Sequence, residues 1–297
     1  SLGALTLGDN NTAVGKDALL SITTGSGNVA VGVAAGDAIN SGTDNVSVGQ
    51  SANGAVTSGV NNVAVGVNSN VGVTTANSNT SIGASSGSDT GGTGANNTCV
   101  GQTSGYHLGG GANNLLLGYQ AGSTSAPGDE IDSEDNQIVL GNDSITHAHI
   151  KVDWTVSSDV RDKADIEDFT AGLNFINQMR PVTYRWDNRA WYVKDNIDEH
   201  GVNHITKEDI MSVVSDGSKK KDKINLGFIA QEIQALEKEI GYSGVKEDGS
   251  ANRDTELIVG TSADGSSLSL KYTGVIPILV NAVQELSAKV KALEDAQ

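Results

Sequence analysis

Glycine returns at positions 15, 32, 49, 66, 83, 101 and 118, and each time it closes the same unit, Asn-x-small-aliphatic-Gly. The units open at Asn11, Asn28, Asn45, Asn62, Asn79, Asn97 and Asn114. The step is 17 residues except for a single 18 between Gly83 and Gly101. A degenerate eighth unit, residues 137–141, follows after 23 residues, and the acidic stretch 129–135 fills that longer gap. A fixed period of this size marks a stack of repeated coils. A flexible linker of the same composition has no reason to hold register over more than a hundred residues.

The chemistry of one unit predicts its shape. Side chains alternate along a strand, so the aliphatic (Val14, Val31, Val48, Val65, Ile82, Val100, Leu117) and the small residue before it face opposite ways. Glycine permits the corner after the strand and asparagine suits the corner before it. A strand this short buries its apolar face only by stacking. Large side chains are scarce, which favours a narrow trimeric β-rod with the aliphatics at its centre. The units resemble the Asn-x-Ala-Ile-Gly repeats of phage tail-fibre rods and of trimeric autotransporter heads, over about residues 8–141.

Composition changes near residue 150. Lys16 is the sole basic residue before it, and Trp154, Trp186 and Trp191 all lie after it. This divides the chain into a rod at 1–152 and a second domain at 153–297. The net charge of −17 disfavours nucleic acid, because phosphate backbones are repelled. No apolar run reaches the length of about 20 residues that a membrane helix needs, so no membrane insertion is expected. Cys99 is alone and forms no disulfide within the chain. Ser1 opens within a repeat, so further domains are expected upstream.

At the seam, residues 145–152 read as a strand with His147 and His149 on one face. On a threefold axis three such pairs would offer six nitrogens, an octahedral metal site; two histidines without a metal are the plainer reading. Beyond the seam the pattern predicts an α+β domain. A helix is expected over about 169–179, interrupted by Gly172 and stopped by Pro181. A strand over 182–186, a polar arm over 187–223 and a strand turning into a helix over 226–239 should follow. A second polar excursion (241–268) and a short strand (268–272) come next. The last segment, about 275–297, carries Ile276, Leu279, Val283, Leu286, Val290 and Leu293 at alternating steps of 3 and 4. That is the seam of a short coiled coil.

Several stretches together resemble a known family: Ser158-Asp159-x-Arg161-x-Lys163-x-x-Ile166, Pro181-Val182-x-Tyr184-x-Trp186, Gly227-Phe228-Ile229-Ala230-Gln231-Glu232, then Tyr272 and the helix through residues 282–286. They look like the self-cleaving intramolecular chaperone domain carried at the C-terminus of phage tail spikes, tail fibres, neck appendages and endosialidases, and of a membrane-tethered eukaryotic transcription factor. The resemblance implies a homotrimer that assembles the rod ahead of it, as chaperone to its own client, and then cuts itself off. It assigns Ser158 as nucleophile and Lys163 as general base, with Asp159, Arg161, Gln231 and Glu232 in support. It places the protein in a virion, after assembly in the host cytoplasm, with a host-surface receptor or glycan as an outside partner.

The chemistry is self-consistent. A serine hydroxyl needs a base near neutral pH, and lysine is a known alternative to histidine. Lysine serves when burial or a nearby cation such as Arg161 favours its neutral form, whereas Asp159 and Asp162 nearby would oppose that. Attack on the carbonyl of Ser157 gives an ester that water then hydrolyses. Which side of Ser158 breaks stays open, as does Ser157 as rival nucleophile. A purely structural trimeric adhesin with a non-cleaving domain is the alternative. A polysaccharide-degrading spike would need a larger catalytic domain than the repeats provide.

Overall fold

The computed structural model describes residues 6–88, 92–124, 126, 130–194, 196–197, 205–242, 252–262 and 267–297. Among these, two compact units are present: residues 1–146 with 188–219, and residues 147–187 with 220–297.

The first unit is a β-solenoid. Its strands are β1 (Thr12–Val14), β2 (Val29–Val31), β3 (Val46–Val48), β4 (Val63–Val65), β5 (Thr80–Ile82), β6 (Thr98–Val100), β7 (Leu115–Leu117) and β8 (Ile138–Leu140). They form one parallel sheet in sequence order and strict register, Val29 beside Val46 beside Val63. The extra residue after Gly83 and the longer acidic excursion are absorbed outside the strands, so Thr80 still pairs with Thr98 and Leu115 with Ile138.

The repeated asparagine holds the coils together. Asn45 donates from its backbone N and from Nδ2 to Oδ1 of Asn28, at 3.1 and 3.0 Å, and its Nδ2 also donates to the Gly59 carbonyl at 2.8 Å. Asn62 repeats this pattern on Asn45 and Ala76. The result is a buried amide ladder in which each side chain serves two neighbouring coils, and Asn28, Asn45 and Asn62 are fully buried. The repeated glycine is fixed by a double requirement. Gly66 has φ +138°, and a Cβ there would stand 2.5 Å from the Gly83 carbonyl oxygen.

The single chain fixes which strand residues face its own interior. The small middle residue (Ala30, Ser47, Ala64, Ser81, Cys99) points into the coil, and the aliphatic before glycine points out. The coil is too narrow for the reverse. Across it, a Cβ on Gly87 would lie 2.4 Å from Ser81 Oγ, and one on Gly105 would lie 2.6 Å from Cys99 Sγ. Leu19, Ile22, Ile39 and Val56 fill the remaining interior. Val14, Val31, Val65, Ile82 and Leu140 therefore form a column on the solenoid's outer surface.

The polar arm is described at 187–194, 196–197 and 205–223. It holds a 3₁₀ turn (Arg189–Tyr192) and a short helix α2 (Lys207–Met211), started by a capping box between Thr206 and Asp209. Thr124 Oγ1 donates to the Ile205 carbonyl at 2.9 Å, and Asn188 Nδ2 donates to the Asp143 carboxylate. Much of the second excursion, residues 243–251 and 263–266, lies outside the described residues, as do residues 125, 127 and 128 and the first residue of the acidic stretch, 129.

The second unit is α+β. Helix α1 (Leu173–Gln178), helix α3 (Ala230–Glu239) and helix α4 (Val275–Glu294) surround a core of Phe175, Met179, Ile233, Ile258, Val259, Val275 and Ile278. Two antiparallel pairs complete it: β9 (Val182–Tyr184) with β10 (Asn225–Gly227), and β11 (Val259–Thr261) with β12 (Leu268–Leu270). The first helix starts later than its apolar pattern predicts, at Leu173. Glu285 of α4 accepts from the Leu173 amide at 3.2 Å, and Asn281 Nδ2 donates to the Phe169 carbonyl at 2.6 Å, which holds the preceding residues out of the helix. Buried Glu237 takes the backbone N–H groups of Ile258 and Val259 and so pins β11 to α3. Helix α4 separates two uses. Val275, Ile278 and Ala282 are buried in the unit, while the heptad seam from Ile276 to Leu293 is exposed.

The strand expected over 145–152 does not form. Among the described residues no strand pairs with it, and the stretch is irregular and exposed throughout.

Candidate functional site

One local turn builds the site at the compositional border. Asp159 caps a 3₁₀ turn (Val160–Asp162), its Oδ1 accepting from the Arg161 N–H at 2.9 Å. The Lys163 N–H closes the turn on the Val160 carbonyl at 3.2 Å. Lys163 itself is extended, with φ −122° and ψ 141°. Its side chain thereby returns over the turn, and Nζ donates to Ser158 Oγ at 2.6 Å. The five-residue separation of serine and lysine is thus converted into direct contact by a single turn.

The surrounding charges are sorted by the same turn. Arg161 grips the Asp159 carboxylate, with Nε at 3.0 Å from Oδ1 and the terminal nitrogen at 2.6 Å from Oδ2. That side-chain bond, and then the bond from the Arg161 backbone, hold the Asp159 carboxyl below its usual range, while the carboxylate raises Arg161. Asp159 and Arg161 thus neutralise each other, and Lys163 keeps Ser158 as its hydrogen-bond partner. The cation expected to act on Lys163 is therefore paired elsewhere. Both groups of the dyad are exposed.

Gln231 and Glu232 lie on the first turn of α3. Glu232 binds Arg180, Nε at 3.2 Å from Oε2 with a second, shorter bond to Oε1. Sequence reasoning did not single out Arg180, which stands 52 residues from its partner with no local pattern linking them. The motif residues Tyr184, Gly227 and Tyr272 do converge. A Cβ on Gly227 would stand 2.3 Å from the Tyr272 hydroxyl oxygen and 3.2 Å from Tyr184 Cε1, so this glycine admits the two rings. Burial, then the neighbouring Tyr272, raises the Tyr184 phenol above its ordinary range.

His147 and His149 stack, with ring centroids 5.9 Å apart and planes 8° from parallel. Among the described residues no group of three or more potential metal ligands occurs. The first unit holds a cavity of about 300 Å³ lined by Tyr106, His107, Gln120, Asn142, Trp191 and Lys219 among others. Among the described residues no helix is long and apolar enough to cross a membrane.

No curated protein and no solved structure matches the chain. A family model described as chaperone of endosialidase matches residues 158–242, beginning at the serine that Lys163 contacts and spanning α1, β9, β10 and α3. Residues 158–242 are thus similar to the chaperone-of-endosialidase family, and a β-solenoid precedes this segment in the chain.

Proposed function

We propose that the second unit trimerises the chain, guides folding of its own solenoid and is released by a Ser158–Lys163 dyad. The hydrogen bond from Lys163 Nζ to Ser158 Oγ carries the reading, since it joins base to nucleophile at 2.6 Å. Once neutral, Lys163 takes the hydroxyl proton of Ser158. Oγ attacks the Ser157 carbonyl carbon, and the bond from that carbon to the Ser158 nitrogen breaks as the nitrogen receives the proton. The resulting ester is hydrolysed by water to a Ser157 carboxylate and a free Ser158 hydroxyl. Asp159 and Arg161 position the turn; Gln231 and Glu232 support the fold through α3.

Two surfaces support a homotrimer. The heptad seam of α4 is an exposed apolar stripe, and the valine–leucine column of the solenoid is another. In the trimer, His147 and His149 of three copies set six imidazoles at one level, a donor set for an octahedral metal ion. The trimeric rod belongs in a virion, where a host-surface receptor or glycan is its outside partner. A non-cleaving structural adhesin differs in one observable. Expressed wild-type chain should separate on a denaturing gel into fragments of 157 and 140 residues, whereas Ser158→Ala and Lys163→Ala should remain whole. Continued cleavage in both variants would remove the dyad from the mechanism; an intact wild-type chain would leave the adhesin.

A further inference from the structure

The stretch just before the dyad has a pattern that the single chain does not use. Ile150, Val152, Trp154 and Val156 alternate with Lys151, Asp153, Thr155 and Ser157. The four apolar side chains are 53, 72, 72 and 83% exposed. Among the described residues, 150–157 make no hydrogen bond. β-branched and aromatic residues in strict alternation are what a half-buried strand requires. A segment with unpaired N–H and C=O groups is a template for another strand.

We infer that residues 150–157 are a strand completed only between copies, each packing its Ile150–Val152–Trp154–Val156 face against the same residues of a second copy. The occupant is a second copy for two reasons. Each chain carries a net charge of −17, so copies repel except where charge vanishes, and in 150–157 Lys151 and Asp153 cancel. The segment also lies in sequence between the outer column, which ends at Leu140, and the exposed seam of α4. These are the surfaces assigned above to self-association, and a rotation axis brings equivalent residues of each copy to the same level.

This inference rests on the trimer proposed above and extends it to the reacting bond. Ser158 is in phase with Val156 and Trp154, so the layer formed between copies carries Ser158 on its apolar side. Assembly then withdraws Ser158 and the Ser157 carbonyl from bulk water, a change that favours the neutral lysine the mechanism needs. Cleavage is thereby tied to assembly, and the released rod ends in an ordered, Trp-bearing strand.

Cysteine crosslinking in the full chain tests this, in a Ser158→Ala background. Cys99 is only 1% exposed, so an introduced thiol is the reactive one. Trp154→Cys and Val152→Cys each replace a side chain that contributes no core packing within the chain, and Asp153→Cys samples the opposite face. Under mild oxidation, Trp154→Cys and Val152→Cys should give a disulfide-linked pair of chains at least about fivefold more than Asp153→Cys, since the bond needs closely approaching Cβ atoms. A trimer by light scattering in which positions 152, 153 and 154 crosslink equally, or not at all, overturns the intercopy strand and leaves the trimer standing. A monomer by light scattering overturns both, while cleavage in the Ser158→Ala background overturns only the assigned nucleophile.

Discussion

Asn62 sits in the middle of the amide ladder, and truncating it gives a sharp test of what holds the solenoid. Its Oδ1 accepts from the Asn79 N–H at 3.0 Å, and its Nδ2 donates to the Ala76 carbonyl at 2.9 Å and to Asn45 Oδ1 at 3.1 Å. In Asn62→Ala, Asn45 Oδ1 keeps the bond from the Asn62 backbone at 3.0 Å. The Asn79 N–H and the Ala76 carbonyl lose these partners where Asn62, Asn79 and Ala76 are 0, 3 and 4% exposed. Each buried polar group left unpaired costs about 1–3 kcal/mol, so the variant should lose about 2–6 kcal/mol. Asn11, at the open end of the ladder, makes equivalent bonds to Asn28 and Gly25 but is only partly buried, so water replaces them. Asn11→Ala should cost about 1 kcal/mol or less. Urea unfolding followed by far-UV circular dichroism, in the Ser158→Ala chain, measures both. Equal losses in the two variants, or a loss below about 1 kcal/mol for Asn62→Ala, would refute the ladder as the source of coil cohesion.

Two further outcomes follow from buried groups. Burial pushes the Cys99 thiol up to about 12, so native protein should not react with thiol reagents at pH 8, and labelling should track unfolding of the solenoid. Because the folded pKa is raised, Cys99 contributes stability at pH below the ordinary thiol value of 9.0 that is progressively lost as pH climbs towards about 12. Cys99→Ser should remove that part of the alkaline destabilisation. Glu237→Ala removes the acceptor of the Ile258 and Val259 N–H groups in the second unit's core. It should cost about 3 kcal/mol or more, read as a fall in thermal midpoint, while Glu237→Gln, which keeps an acceptor oxygen, should cost less.

How much of this was legible in the sequence depends on how local the cause is. The register of the solenoid was readable because one period repeats the same hydrogen bonds, and the elements at 182–184, 225–239 and 268–270 followed from short alternations. The inward turn of the middle residue was not readable, since it depends on how near Gly87 and Gly105 pass on the far side of the coil. Helix α2 went unforeseen because its apolar content is slight; the signal available was the Thr206-x-x-Asp209 capping pair. The strand expected at 145–152 failed for the opposite reason: its pattern is sound, but a strand needs a partner, and none of the described strands pairs with it. At the site, the contact of Ser158 with Lys163 was legible as spacing, whereas the diversion of Arg161 to Asp159 was a matter of side-chain geometry.

The repetition that makes the solenoid readable also makes its assembly ambiguous. The outer column runs Val14, Val31, Val48, Val65, Ile82, Val100, Leu117, Leu140. If copies associate along it, a slip of one coil, about 4.8 Å, still sets an aliphatic side chain against another at each rung and loses little contact. Only the larger residues towards β8 distinguish the correct register, and they contribute a small part of the buried area. Such a rod cannot select its own alignment by energy alone, and its long-range contacts form slowly. A non-repeating domain at one end would resolve the degeneracy, because the seam of α4 and the proposed layer at residues 150–157 would each favour one alignment. Once the copies have zipped from that end, slipping requires all rungs to part together, so the aligning domain is needed to reach the register but not to keep it. Under the cleavage proposed above, that asymmetry would be the physical reason for a cleavable bond at Ser157–Ser158 rather than a permanent link.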